Sequence, residues 1–352
     1  MKNNSPFYSI GILTCILIVF MYSCSNKEQQ THSIRKIFSK TIYDDDNINS
    51  DILIGNTHLF CCVDSFLFLR DLYGNKCFTM INLKENKVSR ICPVGQGPGE
   101  IINPSHLTSI VNISDTTLLA VFDMGYSKVF FYNLENLLTD DNTKGSKNLS
   151  INRMSNSNVD GWALSLLSLN DSLWIGEGFY ENGVLSFYKN GVKQNSVLDF
   201  YFKDDSEGKY LQTTKDANIF RLSHNKSHLV RGTQHAGFIE TYSIEEEKLT
   251  NLFSHNLFDV NHKETDRYGF IDVCVSNRYT YGLYSGKLKE ENSSFESQQI
   301  YVFDNNTGNV VEILQTDVPI MAIDLDMNGN VIYAITSDNF ATDNKVVAFA
   351  LD

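Results

Sequence analysis

A glycine-rich stretch, Gly95-Gln96-Gly97-Pro98-Gly99-Glu100, has the composition of a phosphate-binding loop. A dinucleotide-binding fingerprint requires a third glycine where Glu100 stands, and a P-loop continues with Lys followed by Ser or Thr. Pro98 also lacks the backbone N–H that an anion cradle would use. We therefore interpret the stretch as a structural turn, in which Glu100 is the one side chain that could face a ligand.

Two other stretches, Asp324–Gly329 and Asp304–Asn309, have the Asp and Asn spacing that opens a calcium-binding loop. Such a loop needs a bidentate Glu at its twelfth position, where these two stretches place Ile335 and Gln315. Turns rich in Asn, Asp and Gly between apolar runs are typical of β-hairpins. We expect two solvated turns and predict no metal site.

The histidines do not form a recognisable catalytic or metal-binding pattern. His224 and His228 are four residues apart and would share one face of a helix, but their segment is predicted to be a turn between strands, with His235 nearby. The sequence has no Gly-x-Ser-x-Gly elbow and no cysteine with a recognisable histidine partner. We predict no catalytic residue and no cofactor.

The N-terminus has the features of a lipoprotein leader. Lys2 precedes an apolar run, Ile10–Met21, of about 12 residues, well short of the roughly 20 that span a bilayer as a helix. Ser23 followed by Cys24 resembles the lipobox of bacterial lipoproteins. We expect residues 1–23 to be a signal peptide, Cys24 to be lipidated, and residues 24–33 to be a flexible tether before a domain spanning residues 34–352.

Charge excludes one class of partner. The formal net charge is -13 at pH 7, and the basic residues form no patch in the sequence. Because nucleic-acid affinity depends on Lys and Arg that neutralise phosphates, we expect no nucleic-acid binding, and the same acidic balance argues against a basic membrane-surface patch.

Five of the seven cysteines remain besides Cys15 in the leader and Cys24. An odd set that includes the vicinal pair Cys61-Cys62 is not a disulfide framework. Cys77 and Cys92 flank a predicted hairpin, so they could form one bridge in an oxidising compartment or remain buried free thiols.

An apolar strand, a short polar turn and a second apolar strand recur six times along the chain. The turns lie at residues 64, 115, 171, 225, 277 and 328, so the unit repeats every 51 to 56 residues. A third strand and usually a fourth follow in each unit. Four antiparallel strands at this period predict an all-β fold, a six-bladed β-propeller.

The last unit has only three predicted strands, the third being Lys345–Leu351. An open edge would remain there if the ring closed on itself. The segment Ile34–Tyr43 belongs to no other unit, and we expect it to complete the last blade as an N-terminal strand.

Two stretches in the fifth unit, Gly269–Ser276 and Tyr281–Lys287, have a familiar pattern. Together with residues 95–100 and the leader, they resemble the TolB-like six-bladed propeller lipoproteins of Bacteroidota-type envelopes. The resemblance implies the fold and the location and supplies no catalytic residues. TolB is a periplasmic protein-interaction module, so the resemblance favours partner binding over chemistry.

Candidate ligand-binding residues lie at the ends of the predicted inner strands, which would border the mouths of the central channel. They are charged or aromatic: Glu100, His106, Trp162, Arg221 and Asp272.

The sequence thus favours a lipid-anchored, monomeric envelope protein, expected at the outer membrane, that binds a protein, peptide or glycan. The alternative is a propeller hydrolase or lyase with a metal in the channel. That chemistry needs oxygen or imidazole ligands converging from several inner strands, and only Asp272 and Asp324 are acids within them.

Overall fold

The computed structural model describes residues 32–43, 60–70, 75–113, 116–138, 147–150, 162–180, 183–200, 217–258, 266–336 and 345–351. Within these ranges the chain is almost entirely β-structure, which confirms the predicted fold class. Ile34–Asp352 forms one compact unit. The one α-helix in the described ranges is α1 (Leu134–Leu138), and no helix there is long and apolar enough to cross a membrane.

The strands follow one another with short connections. The first fourteen are β1 (Ser33–Ile37), β2 (Lys40–Tyr43), β3 (Phe60–Val63), β4 (Phe66–Arg70), β5 (Lys76–Asn82), β6 (Lys87–Pro93), β7 (Pro104–Ile113), β8 (Thr116–Asp123), β9 (Lys128–Asn133), β10 (Lys147–Ser150), β11 (Trp162–Ser168), β12 (Leu173–Tyr180), β13 (Gly183–Lys189) and β14 (Val192–Leu198). The following ten are β15 (Asn218–Leu222), β16 (His228–Thr233), β17 (Phe238–Glu245), β18 (Lys248–Asn256), β19 (Phe270–Val275), β20 (Tyr279–Tyr284), β21 (Ser297–Asp304), β22 (Val310–Leu325), β23 (Val331–Thr336) and β24 (Val346–Ala350).

Six antiparallel blades are built from these strands. Blades one to four are the four-stranded sheets β3–β6, β7–β10, β11–β14 and β15–β18. Blades five and six share the long strand β22: its first half pairs with β21 at Gln299↔Gln315, and its second half pairs with β23 at Leu325↔Ile332. The inner strands β3, β7, β11, β15, β19 and the second half of β22 surround the central channel.

The core consists of apolar layers between neighbouring blades. Phe131 of blade two packs edge-on against the buried Trp174 of blade three, with ring centroids 6.1 Å apart. Phe253 of blade four stacks on Phe303 of blade five at 5.6 Å. Because each blade is covered on both faces, its middle strands are apolar at nearly every position, as in β12, instead of alternating with polar residues.

An N-terminal strand completes the last blade, as predicted. The strand β2 pairs antiparallel with β24 at Lys40↔Ala348 and Thr41↔Val347. The segment predicted as one strand is nevertheless divided in two, because β1 pairs with β22 instead. We call Ser33–Tyr43 the N-terminal strap, since it joins the edges of blades five and six.

Cys77 and Cys92 are free, buried thiols. They lie between the paired positions Lys76↔Pro93 and Phe78↔Ile91 of β5 and β6. The Cys77 Sγ donates a hydrogen bond to the carbonyl oxygen of Cys92 at 3.0 Å. Of the two alternatives left open by the sequence, the structure shows the unbridged one, and burial raises the pKa of the Cys92 thiol well above its ordinary value.

Ile37 holds the strap to the core, where only 5% of it is exposed, whereas 73% of its neighbour Phe38 is exposed. We predict that Ile37→Ala lowers the free energy of unfolding by about 2–4 kcal/mol, because it leaves a cavity between strap and core. Phe38→Ala is the matched control, expected to stay within about 0.5 kcal/mol. Urea unfolding of the two variants measures the difference, and equal stabilities would show that the strap does not contribute to closure.

Candidate functional site

The glycine-rich loop between β6 and β7 is held by its own residues. The Glu100 carboxylate accepts a hydrogen bond from the Gly97 N–H at 2.7 Å, and a Cβ at Gly95 would clash with that carboxylate. Tyr132 Oη donates to the Gly99 carbonyl oxygen at 3.1 Å. The loop is therefore the inter-blade turn that the sequence predicts, and Glu100 acts as its internal acceptor.

Three other predicted residues have no described side chain. His106 lies in β7 and Trp162 begins β11, where the backbone alone is described. Cys24 lies outside the described residues. Their proposed roles in ligand binding and lipidation stay predictions.

Arg221 and Asp272 are brought together in the channel wall. The Arg221 Nη2 lies 3.1 Å from Asp272 Oδ1, and both side chains are buried. Asp272 Oδ1 also accepts from the Val273 N–H, and Oδ2 accepts from the Ile323 N–H at 2.9 Å. Burial raises the pKa of Asp272 to about 6, against the opposing effects of the Arg221 charge and the two backbone donors.

Asp324 makes the equivalent link one blade further round. Its Oδ2 accepts from the Cys62 N–H at 2.7 Å, which joins blade six to blade one. Burial raises the pKa of Asp324, while the neighbouring His224 opposes that rise. Between blades two and three, Ser109 Oγ accepts from the Ser168 N–H at 3.0 Å. The polar residues of the inner strands thus connect one blade to the next.

The turn between β15 and β16 reaches across the channel. His224 Nε2 lies 2.8 Å from the Leu325 carbonyl oxygen of blade six. Lys226, whose backbone φ is +61°, donates from Nζ to the Ile110 carbonyl oxygen of blade two at 3.1 Å. Burial lowers the pKa of Lys226. Beneath this turn lies a cavity of about 110 Å³, bordered by Arg221 and Asp324.

A larger pocket, about 290 Å³, opens at the mouth where the inner strands end. It lies between the turns that follow the inner strands of blades four, five and six. Its polar and aromatic lining includes His224, Asn277, Arg278, Tyr279, Asn328 and Asn330. We regard this pocket as the candidate ligand-binding site.

The backbone of the pocket is fixed by short polar side chains in its turns. Ser276 Oγ accepts from the Tyr279 N–H at 3.0 Å. Asp326 Oδ1 accepts from the Asn330 and Val331 N–H groups at 2.6 and 2.8 Å, which makes this stretch the hairpin turn predicted from its sequence. In the described part of the chain, no three His, Cys, Asp or Glu residues are grouped as metal ligands.

The wall of the pocket combines an aromatic surface with hydrogen-bond donors. The Arg278 guanidinium lies over the Tyr279 ring at 4.9 Å from its centroid, and Tyr279 meets Tyr281 edge-on at 6.4 Å. Asn277 and Asn328 are exposed, and their side-chain amides make no hydrogen bond to any described residue. Such a wall suits a polar ligand that can stack on tyrosine and accept hydrogen bonds.

None of the five predicted ligand-binding residues lines this pocket, although its His224 and part of the stretch Asp324–Gly329 were considered as metal ligands and rejected. The candidates Glu100, His106 and Trp162 lie before or at the start of inner strands, whereas the pocket lies at the opposite mouth, where inner strands end. The signal was present in the repeat, since the predicted turns at 225, 277 and 328 follow inner strands and must meet at one mouth.

Comparison with known families agrees with this architecture. A model of the family described as TolB-like 6-blade propeller-like matches residues 58–328. The chain belongs to the TolB-like propeller family. No curated protein matches the sequence.

Solved structures share the fold of this TolB-like propeller at low sequence identity. A protein from Bacteroides fragilis NCTC 9343, described as exported, is 14% identical, with a TM-score of 0.55 over 91% of this chain and 99% of its own. The WD40 repeats of RRP9 are 9% identical, with a TM-score of 0.50 over 89% and 97%. A member of the DUF4221 family from Bacteroides vulgatus is 8% identical, with a TM-score of 0.49 over 84% and 94%. The first two similarities show the propeller fold.

The buried links made by Arg221, Asp272 and Asp324 between neighbouring blades, which we call the polar seam, generate a stability prediction. Asp272→Ala should lower the free energy of unfolding by about 3–5 kcal/mol, because the buried Arg221 charge loses its partner. The exposed acid Asp266 provides the control, and Asp266→Ala should cost less than about 0.5 kcal/mol.

The double variant Arg221→Met/Asp272→Ala should be less destabilised than the sum of its single variants, because no unpaired charge then remains. Urea unfolding checks all four variants. A cost below about 1 kcal/mol for Asp272→Ala would show that the ion pair and its backbone links are dispensable.

Proposed function

We propose that this protein is a binding module, anchored in the bacterial envelope through a lipid at Cys24, that recognises a protein, peptide or glycan partner. The observation that carries the proposal is the 290 Å³ pocket at the channel mouth. The exported protein from Bacteroides fragilis, which shares the fold, supports an envelope location. The proposed location is the outer membrane, and the proposed state is a monomer.

The chemistry of the pocket favours binding over catalysis. Its carboxylate, Asp326, is occupied by backbone N–H groups of its own turn. The exposed groups are amides, a guanidinium and an aromatic ring, which recognise a ligand by hydrogen bonding and stacking. His224, the imidazole in the lining, has its Nε2 2.8 Å from the Leu325 carbonyl oxygen, a contact that joins blades four and six. The alternative of a channel-metal hydrolase or lyase is not favoured by any arrangement of the described residues.

Rigid turns make the pocket suitable for recognition. Tyr279 and Arg278 are enriched residue types at binding hot spots, and their mutual stacking reduces the side-chain freedom that a ligand would have to remove. Met327, 52% exposed, borders the same pocket and adds an adaptable apolar contact.

Site-specific photocrosslinking in cells tests the pocket. A benzophenone amino acid at Met327 should give a discrete adduct, whose mass and composition distinguish protein, peptide and glycan. The same group at Leu252, exposed on β18, is the control. Arg278→Ala or Asn328→Ala should reduce the Met327 adduct about tenfold, as expected for hot-spot contacts. Equal adducts at both positions, or an adduct unchanged in both variants, would reject the pocket as the binding site.

Cell fractionation tests the anchor. Cys24→Ala should move the protein from the membrane fraction to the soluble fraction, because it removes the proposed acylation site. Cys15→Ala, within the proposed leader, is the matched control and should leave the protein in the membrane. Persistence of the Cys24→Ala protein in the membrane fraction would reject lipid anchoring at this residue.

A further inference from the structure

The N-terminal strap exposes two large apolar side chains, Ile34 and Phe38, which are four residues apart. Ile34 is 66% exposed and Phe38 is 73% exposed, the two highest values among the large hydrophobic residues with described exposure. Isolated exposed apolar residues are ordinary on protein surfaces. The exposure of Ile34 and Phe38 needs an explanation because the neighbouring strap residues are fixed to the propeller, which holds these two side chains in solvent.

Three contacts fix the strap on both sides of Phe38. The Arg35 guanidinium donates two hydrogen bonds to the Glu312 carboxylate of β22, at 2.9 and 3.0 Å. Ile37 is buried in the core between blades five and six. Ser39 donates from its backbone N–H and its hydroxyl to Asp317, at 2.9 and 3.0 Å. The outward position of Phe38 is therefore set by the fold.

The same face of the strap is basic as well as apolar. Alternation along an extended strand places Ile34 and Lys36 on the side opposite Arg35 and Ile37. Lys36 and Lys40 are both exposed. The acids that the strap contacts, Glu312 and Asp317, are already paired with Arg35 and Ser39. The fold thus places two lysines beside two exposed apolar residues, although the acidic sequence predicts no basic membrane-surface patch.

We propose that the strap residues Ile34–Lys40 form a membrane-contact surface, with Ile34 and Phe38 at the level of the lipid headgroups and Lys36 and Lys40 facing anionic lipids. The proposal rests on the lipid anchor proposed above. Nine residues separate Cys24 from Ile34, and even a fully extended chain of that length reaches only about 30 Å. The strap is therefore the first folded segment behind the anchor, and apolar side chains with Lys are the combination that binds a bilayer surface.

This contact would orient the domain. The strap lies at the edges of blades five and six, so its membrane contact would turn the rim of the propeller towards the bilayer. Both mouths of the channel, including the 290 Å³ pocket, would then stay open to solvent. The proposed site could reach a partner without leaving the membrane surface.

Fluorescence quenching in vesicles tests the contact. The mature lipidated protein is reconstituted into phosphatidylethanolamine–phosphatidylglycerol vesicles whose acyl chains carry bromine, which quenches nearby Trp. Phe38→Trp reports from the strap, and Tyr126→Trp reports from an exposed site in blade two, which adjoins neither blade five nor blade six. After subtraction of the signal of the parent protein, quenching at position 38 should exceed that at position 126 by about twofold or more, as expected for a side chain at the acyl boundary.

A charge reversal separates the roles of the apolar and basic residues. Lys36→Glu/Lys40→Glu in the Phe38→Trp background should reduce quenching in vesicles with phosphatidylglycerol but not in phosphatidylcholine vesicles. Lys84→Glu/Lys87→Glu, at the exposed turn between β5 and β6, is the matched control and should change neither.

The outcomes distinguish this proposal from the anchor. Protein that does not float with the vesicles rejects the anchor and the membrane contact together. Protein that floats, yet shows equal quenching at positions 38 and 126, rejects the contact alone. A strap covered by a second copy would appear as a dimer in light scattering with Phe38→Trp protected from bromine, which also overturns the proposal.

Discussion

The Asp272 carboxylate links three blades at the wall of the channel. It accepts one hydrogen bond within its own strand, one from the Ile323 N–H of blade six, and an ion pair from Arg221 of blade four. Buried ion pairs often contribute little net stability, because desolvation offsets the attraction. The backbone link is different, since a buried N–H without an acceptor costs free energy wherever it occurs. Asp272 therefore stabilises the fold by accepting a hydrogen bond from the Ile323 N–H at a defined register. Arg221 provides the opposite charge that the buried carboxylate requires.

The residues of the polar seam have the sequence features of ligand-binding residues but a different role in the structure. Arg221, Asp272 and Asp324 are charged, lie on inner strands and border the channel, which are properties of ligand-binding residues. In the fold their charged groups are directed at other blades. The candidate pocket is instead lined by the exposed Asn277 and Arg278, together with Tyr279, which also packs against the core of blades five and six. Ring closure thus depends on the inner strands, and the turns are the part of the fold that remains exposed for the proposed recognition.

The periodic part of the structure was predictable because its signals are local. Strand, turn and strand recur at 51 to 56 residues, and each turn is marked by Asn, Asp or Gly, so the blade count and the closing strand followed from the pattern. The division of the strap was not predictable, because β1 is placed by Arg35 meeting Glu312, a pair 277 residues apart. The contact of His224 with Leu325 spans 101 residues and has no sequence signal either. Glu100 shows the converse: its neighbours in sequence were correctly interpreted as a turn, but only the folded loop shows that its Oε2 accepts a hydrogen bond from the Gly97 N–H.

In the proposed lipid-anchored state, the net negative charge of the propeller would determine which of its surfaces faces the bilayer. A chain with net charge -13 is repelled by anionic headgroups over roughly a Debye length, about 8 Å at physiological salt. A domain close behind a lipid anchor would therefore turn its least acidic surface towards the bilayer. The strap supplies that surface through Lys36 and Lys40, and its apolar residues need no neutralisation.

The pocket, on a mouth of the channel, carries an exposed Arg278 on an acidic background. A local cation surrounded by distant negative charge selects ligands by short-range contact instead of long-range attraction, because distant repulsion is screened while hydrogen bonds inside a pocket are not.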